Sequence, residues 1–223
     1  MTEPGFVQAT RASYDTVAAT YAARFLGELD ARPLDRALLA GFAELVRAAG
    51  PDPIADIGCG PGRVTAHLDG RGAPVFGIDV SPQMIAQARQ AYPGLRFDTG
   101  SMLALDLPDR CLGGVVAWYS IIHVPDDELP RAFAEFFRVL VPGGHLLLAF
   151  QAGTEVSHRA ELDGHAVSLD FHRRQPEQVA DVLSQAGLDV RARVLRQPDG
   201  AGEFPERSPQ AYLLARRPPA ASP

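Results

Sequence analysis

This chain of 223 residues contains no lysine, and all 21 of its basic residues are arginine. A phosphate-binding loop of the Walker type needs a lysine on the β- and γ-phosphates of its nucleotide, so the sequence excludes such a loop. Schiff-base chemistry and pyridoxal phosphate both need an amine nucleophile, which is missing as well. Kinase-like and aldolase-like functions are therefore excluded.

Cysteine is also scarce, because Cys59 and Cys111 are the only two. This usage is typical of a reduced, cytosolic setting and does not indicate a disulfide framework or a zinc knuckle. No apolar run approaches the ~18–20 residues that a membrane span requires. Residues 1–5 lack the basic and apolar regions of a signal peptide. We therefore expect a cytoplasmic protein without a membrane partner.

Positive charge is in deficit: 21 basic residues stand against 27 acidic ones, for a net charge of −6. A protein that binds a phosphate backbone usually has a basic surface, so we expect no nucleic-acid partner. Apolar residues make up 46% of the chain and charged residues 22%, which are ordinary values for a globular protein. At this length the composition suits an α/β domain.

Short apolar runs alternate with amphipathic stretches along the chain. The runs typical of strands are residues 54–57, 74–79, 95–100, 113–119, 145–150, 188–195 and 211–215. The stretches typical of helices are residues 8–25, 34–49, 63–68, 127–140 and 176–186, with one more helix opened by Ser81-Pro82. Alternation of this kind predicts a mainly parallel sheet covered by helices on both faces. The last two strands leave no room for a helix between them and should pair antiparallel.

A glycine-rich turn, residues 58–62, follows the first predicted strand and opens a helix. A dinucleotide-binding fingerprint would need glycine at position 63, where this chain has Arg63. Asp56 would repel a pyrophosphate but suits a ligand with a cationic amine. Asp79, at the end of the second strand, can accept hydrogen bonds from two ribose hydroxyls. The turn and its two acids therefore fit a nucleoside with a positive, phosphate-free tail; a plain tight connection is the alternative.

Five other short motifs accompany this turn. They are Tyr14-Asp15-x-x-Ala18-x-x-Tyr21, Ser81-Pro82-Gln83-Met84, Gly100-Ser101-Met102, Ala117-Trp118-Tyr119-Ser120-Ile121-Ile122-His123 and Arg138-Val139-Leu140-x-Pro142-Gly143-Gly144. Together the six motifs resemble the class I S-adenosylmethionine-dependent methyltransferases, specifically the small single-domain type that acts on small molecules. The resemblance covers residues 14–217. It implies a Rossmann-like three-layer α/β sandwich, with a seven-stranded, mainly parallel sheet whose last strand is antiparallel.

The resemblance also implies the chemistry. S-adenosylmethionine would be the cofactor, S-adenosylhomocysteine its product, and a small molecule the methyl acceptor, with the protein acting as a monomer or a homodimer. The implied cofactor contacts are Tyr14, Tyr21, Asp56, Gly58, Cys59, Gly60, Asp79, Val80, Met84, Gly100, Ser101, Met102, Ala117 and Trp118. The acidic run of residues 126–128 opens a predicted helix, where it stabilises the helix dipole, and we predict no catalytic metal.

Individual roles follow from the same resemblance. Asp56 and the glycines of the turn would cradle the methionine part, Asp79 would bind the ribose, and Met84 would pack on the adenine. Ser101 stands where the family usually has an aspartate that accepts a hydrogen bond from the adenine amine, and its hydroxyl is a weaker acceptor. The plainer alternatives are a strand-end cap for Asp79 and a core position for Met84.

We expect residues 1–217 to form one methyltransferase domain, with residues 1–30 as a lid helix and residues 151–174 as an insertion on the substrate side. Tyr14 and Tyr21 are seven residues apart and share a helical face, for which simple packing is the alternative to a lid. Residues 218–223 are expected to form a loose tail.

Histidines are the candidates for catalysis. An acceptor hydroxyl is a weak nucleophile until its proton is removed, so a base of near-neutral pKa would assist O-methylation. His123 is the first candidate and His165, within the insertion, is the second. N- or C-methylation, a non-catalytic cofactor-binding protein and a nicotinamide-dependent oxidoreductase are the alternatives. The insertion also contains arginines that suit a substrate carboxylate or a solvated surface: Arg159, Arg173 and Arg174.

Overall fold

The computed structural model describes residues 3–220, so residues 1–2 of the predicted lid segment and 221–223 of the predicted tail lie outside the described residues. The α-helices are α1 (Gly5–Phe25), α2 (Pro33–Ala49), α3 (Arg63–Asp69), α4 (Pro82–Ala91), α5 (Leu129–Val139) and α6 (Pro176–Gln185). The strands are β1 (Ile54–Ile57), β2 (Val75–Asp79), β3 (Arg96–Thr99), β4 (Leu112–Trp118), β5 (Leu140–Gln151), β6 (Val156–Leu162), β7 (His165–His172), β8 (Asp189–Arg196) and β9 (Gln210–Arg216). Between residues 3 and 220, no helix has the length and hydropathy needed to cross a membrane.

Seven of these strands form one sheet in the order β3-β2-β1-β4-β5-β9-β8. Strands β1 to β5 are mutually parallel, and β9 lies antiparallel to both β5 and β8. The prediction of a seven-stranded sheet with an antiparallel last strand is confirmed. The strand order reverses between β1 and β4, which is the place where ligands bind in sheets of this kind, beyond the carboxyl ends of the strands.

Helices cover both faces of the sheet because the central strands β1 and β4 are apolar and buried on both sides. On one face α5 buries Phe133 and Phe136 completely in the larger apolar cluster. On the other, α2 packs Phe42 and Val46 so closely on β4 that a Cβ at Gly114 would lie 2.8 Å from Val46. This three-layer packing fixes the ends of β1, β2 and β4 relative to one another.

The segment between β5 and α6 forms a separate two-stranded antiparallel sheet, β6–β7, which the sequence pattern did not indicate. Its strand β7 is fastened to α1, since Ser13 Oγ accepts a hydrogen bond from Ser168 N at 3.0 Å and lies 3.3 Å from Ser168 O. Helix α1 is also fastened to the start of α4, directly after β2, because Asp15 accepts hydrogen bonds from Ser81 Oγ at 2.6 Å and from Gln83 N at 3.1 Å. Helix α1 therefore bridges the hairpin and the strand ends.

Candidate active site

A cavity of about 110 Å³ lies beyond the carboxyl ends of β1, β2 and β4, and we call it the first cavity. Thirteen of the fourteen predicted cofactor contacts line it: Tyr14, Tyr21, Asp56, Gly58, Cys59, Gly60, Asp79, Val80, Met84, Gly100, Ser101, Met102 and Trp118. His123 lines it as well. The structure therefore brings residues from five of the six sequence motifs to one place, although their contact with a cofactor stays a prediction.

Two predicted site residues are not brought there. Ala117 is fully buried within β4, opposite Leu148 of β5, because its position on the strand points it into the sheet packing. His165 begins β7 opposite Leu162 and lies outside the lining of the cavity. Neither residue lines the first cavity, and their assignment to the site stays a prediction.

The glycine-rich turn allows the backbone to follow a path that other residues would resist. Gly58 has a φ of +77°, and a Cβ there would lie 2.2 Å from Ser120 Cβ, so only glycine fits. Gly60 has a φ of +54°, but a Cβ there would meet no atom within 4 Å. The turn is thus packed against the sheet at Gly58 and open on the cavity side at Gly60.

Asp56 is fully buried at the end of β1 and has one carboxylate oxygen without a partner among the described residues. Its Oδ2 accepts a hydrogen bond from Thr65 Oγ1 at 2.7 Å, whereas Oδ1 has none. Burial raises the pKa of Asp56 to about 7. A buried polar oxygen without a partner is costly, so this site is suited to a cationic hydrogen-bond donor.

Asp79 ends β2 and holds the turn in place. Its Oδ2 accepts a hydrogen bond from Gly60 N at 2.8 Å, and its Oδ1 accepts one from Ser81 N at 2.9 Å. Burial raises the pKa of Asp79 above its ordinary value. Because an ionised carboxylate has about four acceptor positions, each oxygen can accept a further bond from a ligand hydroxyl.

Both ring nitrogens of His123 are engaged. Nδ1 lies 2.9 Å from the carbonyl oxygen of Asp170 and must donate to it, so Nε2 is the acceptor and receives the Tyr14 hydroxyl at 2.8 Å. Burial lowers the pKa of His123 to about 4. At neutral pH the ring is uncharged and its only basic nitrogen already holds a proton donor. This geometry suits a residue that positions Tyr14 better than the general base expected from the sequence.

The arginines of the insertion differ from one another in their surroundings. Arg174 is buried and donates to Asp126 at 2.7 Å, to the carbonyl of Ile121 at 3.0 Å and to that of Val124, which anchors the turn carrying His123. It is therefore not available to a substrate. Arg173 pairs with Glu155.

A larger cavity of about 450 Å³, which we call the second cavity, adjoins the first. The residues that line both are Tyr14, Tyr21, Arg63 and Tyr119. Tyr119 adopts a φ of +53°, a conformation that is rare for a bulky residue and that clusters at functional sites. The remaining walls come from α1, the β6–β7 hairpin and the segment before β9.

The comparisons with known proteins agree with this geometry. Residues 54–144 match the family model described as a methyltransferase domain. Over this range the chain is similar to methyltransferases, the family that its six motifs resemble.

The curated relatives align with part of the chain. The malonyl-[acyl-carrier protein] O-methyltransferase of Pectobacterium atrosepticum is 32% identical over 160 residues, which are 65% of this chain and 61% of that protein. The trans-aconitate 2-methyltransferase of Escherichia coli O157:H7 is 32% identical over 147 residues, or 62% and 57%. The demethylmenaquinone methyltransferase of Chlorobaculum tepidum is 34% identical over 139 residues, or 60% and 56%. The chain thus spans less than two thirds of the length of these relatives.

Solved structures resemble this chain over nearly its whole length. The DhpI complex with S-adenosylhomocysteine has a TM-score of 0.71 at 23% identity and covers 98% of this chain and 100% of that one. The magnesium protoporphyrin IX methyltransferase from Synechocystis, solved with bound S-adenosylmethionine, has a TM-score of 0.68 at 17% identity and covers 97% and 99%. At these identities the likeness concerns the fold.

The residues of the first cavity fit the cofactor of this family. Asp56 Oδ1 is a free buried acceptor for an ammonium group, and Asp79 has acceptor positions left for ribose hydroxyls. The open space at Gly60 leaves room for a ligand against the turn. Ser101 lines the same cavity, although its Oγ accepts a hydrogen bond from Leu103 N at 3.3 Å.

Several residues that line the first cavity were missed by the sequence analysis. Phe6 and Val7 belong to α1, which begins three residues earlier than the apolar pattern indicated, and Thr10 lies one turn further along. Arg63 was used only to exclude a dinucleotide fingerprint, yet it lines both cavities and pairs with Glu28 at 3.0 Å. A charged residue at the first position of a helix that follows a ligand-binding turn was the signal available for it.

Proposed function

We propose that this protein transfers the methyl group of S-adenosylmethionine to an oxygen atom of a small molecule. The observation that carries the proposal is the pair of buried carboxylates, Asp56 and Asp79, at the ends of adjacent strands facing one cavity that opens on a second. The first cavity would hold the methyl donor and the second the acceptor. The four shared residues mark the boundary at which the methyl group would pass.

The bound cofactor would supply a methyl group already activated by its sulfonium. The chain's task is then chiefly to position two molecules, an effect that can contribute ~7–11 kcal/mol to lowering a barrier. Asp56 would accept hydrogen bonds from the ammonium group and Asp79 from the ribose. Tyr14 and Tyr21, whose rings meet edge to face at 5.7 Å, would keep water from the boundary.

The acceptor follows from the second cavity and not from the relatives. Those relatives are named for acceptors as different as malonyl-[acyl-carrier protein], trans-aconitate and demethylmenaquinone. The second cavity has more arginines than acids in its lining, which disfavours a cationic amine and favours an oxygen nucleophile. N- and C-methylation are therefore the weaker alternatives.

A calorimetric titration with S-adenosylmethionine tests the donor site. The Asp56→Asn variant should bind about 10-fold or more weakly, because hydrogen bonds to a charged group contribute ~1.5–3 kcal/mol. At pH 7 the same variant without ligand should be at least as stable as the wild type, since it no longer buries an unpaired carboxylate.

Asp69→Asn is the matched control, because Asp69 is exposed at the end of α3 and outside both cavities. It should change neither affinity nor stability. Wild-type affinity in Asp56→Asn, or no measurable binding by the wild-type protein, would overturn the assignment of the first cavity. Transfer of a radioactive methyl group to a panel of small molecules tests turnover.

A further inference from the structure

The lining of the second cavity is positive, although the whole chain carries a net charge of −6. Its acids are Glu28, Asp35 and Glu206, and its arginines are Arg24, Arg32, Arg63, Arg159, Arg173 and Arg207. We propose that the second cavity binds the methyl acceptor as a carboxylate on an aromatic frame, held by Arg159 and Arg207, and that the product is a methyl ester. This inference rests on the proposed function and names the substrate class of the same site.

Most of these arginines are already occupied. The pairs are Arg24 with Asp163 at 2.7 Å, Arg63 with Glu28 at 3.0 Å, Arg32 with Glu206 at 3.4 Å, and Arg173 with Glu155. Within residues 3–220, Arg159 and Arg207 make neither an ion pair nor a side-chain hydrogen bond. They are the two guanidinium groups of the lining left to bind an anion from solution.

Arg159 is placed by an aromatic contact and not by a carboxylate. Its Cζ lies 5.9 Å from the centroid of the Phe171 ring, within the range of a cation–π interaction. Phe171 in turn packs edge-on against His123, with ring centroids 4.7 Å apart. The guanidinium therefore stands over a ring that lies next to the boundary of the two cavities. Its planar fork matches the two oxygens of a carboxylate.

The apolar part of the acceptor has a matching wall. Tyr21 and Phe25 pack with ring centroids 4.6 Å apart, and Phe25 lies 5.9 Å from Phe204. These three rings and that of Phe171 all line the second cavity. Aromatic walls favour a flat, apolar body through ring contacts and burial of apolar surface.

No group at the boundary is placed to remove a proton from a hydroxyl. Tyr14 and Tyr119 have pKa values raised well above the ordinary value by burial, and His123 already accepts the Tyr14 hydroxyl. The acids of the cavity are engaged too, Glu28 by Arg63, Asp35 by the Tyr212 hydroxyl at 2.8 Å, and Glu206 by Arg196 at 2.7 Å. A carboxylic acid, with an ordinary pKa near ~4, arrives already ionised at neutral pH and needs no base.

The methyl transfer to a carboxylate requires no proton to be removed or added. A carboxylate oxygen forms the new bond to the methyl carbon while the bond from that carbon to sulfur breaks. The electron pair of the broken bond stays on sulfur. The negative charge of the carboxylate and the positive charge of the sulfonium disappear together, leaving a methyl ester and a neutral thioether.

Three compounds that share one aromatic body and differ only in their polar group test the preference for a carboxylate: cinnamate, cinnamamide and cinnamyl alcohol. Each is titrated by calorimetry into the protein saturated with S-adenosylhomocysteine. Cinnamate should bind at least about 10-fold more tightly than the other two, as expected for charge-assisted bonds. The Arg159→Ala/Arg207→Ala double variant should lose this preference while its affinity for S-adenosylhomocysteine is unchanged. Arg193→Ala, which removes an exposed arginine of β8 outside both cavities, should keep it.

The product is tested with S-adenosylmethionine labelled in its methyl group and a low-molecular-weight filtrate of a bacterial lysate. Methyl esters release the label as methanol in alkali, whereas methyl ethers and N-methyl products do not. Alkali-labile label that falls at least about 10-fold in the double variant supports the inference. Equal affinity for cinnamate and cinnamamide, or alkali-stable label, overturns the carboxylate while the proposed function stands. Absence of S-adenosylhomocysteine binding, or of any transferred label, overturns the proposed function itself.

Discussion

The two cavities share a wall but differ in charge and in how they are built. The first has Asp56 and Asp79 at strand ends, buried in a rigid sheet. In the second, six arginines outnumber three acids, and several of these arginines are exposed. Such an arrangement suits a cationic donor on one side and an anionic acceptor on the other, brought together so that both charges vanish in the reaction.

Most of the wall between them is uncharged, and the arginine within it, Arg63, is paired with Glu28 at 3.0 Å. Tyr14, Tyr119 and His123 are all neutral at pH 7, because burial raises the pKa of each phenol and lowers that of the imidazole. A dry, weakly polar boundary does not stabilise the separated charges, and this favours their neutralisation. The contrast between the cavities therefore predicts that substitutions on one side leave binding on the other side unchanged.

The largest effect is expected at Asp79. Gly60 N and Ser81 N each donate to one oxygen of Asp79, so in Asp79→Asn one of these N–H groups must face the amide nitrogen, which is itself a donor. The ribose hydroxyls also lose their charged acceptor. Affinity for S-adenosylmethionine should fall about 10- to 100-fold, since bonds to charged groups contribute ~1.5–3 kcal/mol each. Calorimetry measures the affinity, and thermal unfolding shows that the variant is folded.

The selectivity of the second cavity for cinnamate over cinnamamide should survive Asp79→Asn at saturating S-adenosylhomocysteine. Its loss would show that the cavities are not independent. Unchanged affinity for S-adenosylmethionine would remove the ribose site from Asp79.

The next effect is the dependence of folding stability on pH through His123, which lines the first cavity. The pKa of His123 is about 4 in the folded protein, against about 6.5 for an unperturbed histidine. At His123 the unfolded chain therefore binds more protons than the folded protein between these pH values. As the pH falls through that window, this histidine should lower the free energy of unfolding by about 3 kcal/mol. Asp56, with its pKa raised to about 7, acts in the opposite sense over an overlapping range.

The difference between wild type and His123→Gln isolates the histidine. Urea unfolding at several pH values from 4 to 7 should show a smaller loss of stability toward low pH in the variant. If His123→Gln kept the wild-type slope, the buried neutral ring would be disproved.

The smallest effect distinguishes two glycines of similar backbone conformation. Gly60 and Gly72 have φ values of +54° and +72°, and a Cβ at either meets no atom within 4 Å. Alanine at either position should cost about 1–2 kcal/mol, the price of a left-handed residue with a side chain. Because Gly60 lines the first cavity and Gly72 does not, only Gly60→Ala should also weaken binding of S-adenosylmethionine. Equal affinities in the two variants would contradict the placement of the ligand against the turn.

The first cavity could be anticipated from the sequence because its residues follow directly from apolar strands. Parallel strands end at one edge of the sheet, so Asp56, Asp79 and Trp118 had to lie near one another once the strands were recognised. Ala117 was assigned to the same edge but belongs to the strand interior, one position before the strand ends. Strand ends are the least certain part of a pattern-based prediction.

The second cavity could not be anticipated in the same way. Arg159 and Arg207 are 48 positions apart in the sequence, and they line one cavity only because the β6–β7 hairpin and the segment before β9 fold toward α1. The hairpin strands are largely exposed and lack the apolar runs by which the other strands were recognised. The engagement of both nitrogens of His123 likewise depends on Tyr14 and Asp170, which no local pattern connects.

A crystal structure with S-adenosylhomocysteine and cinnamate tests the division between the two cavities most directly. We expect the ribose hydroxyls about 3 Å from the Asp79 carboxylate and the ammonium group at Asp56. The sulfur should lie at the boundary formed by Tyr14, Tyr21 and Tyr119, with the cinnamate carboxylate on the second-cavity side. A nucleoside bound in the second cavity, or a ribose away from Asp79, would contradict the account.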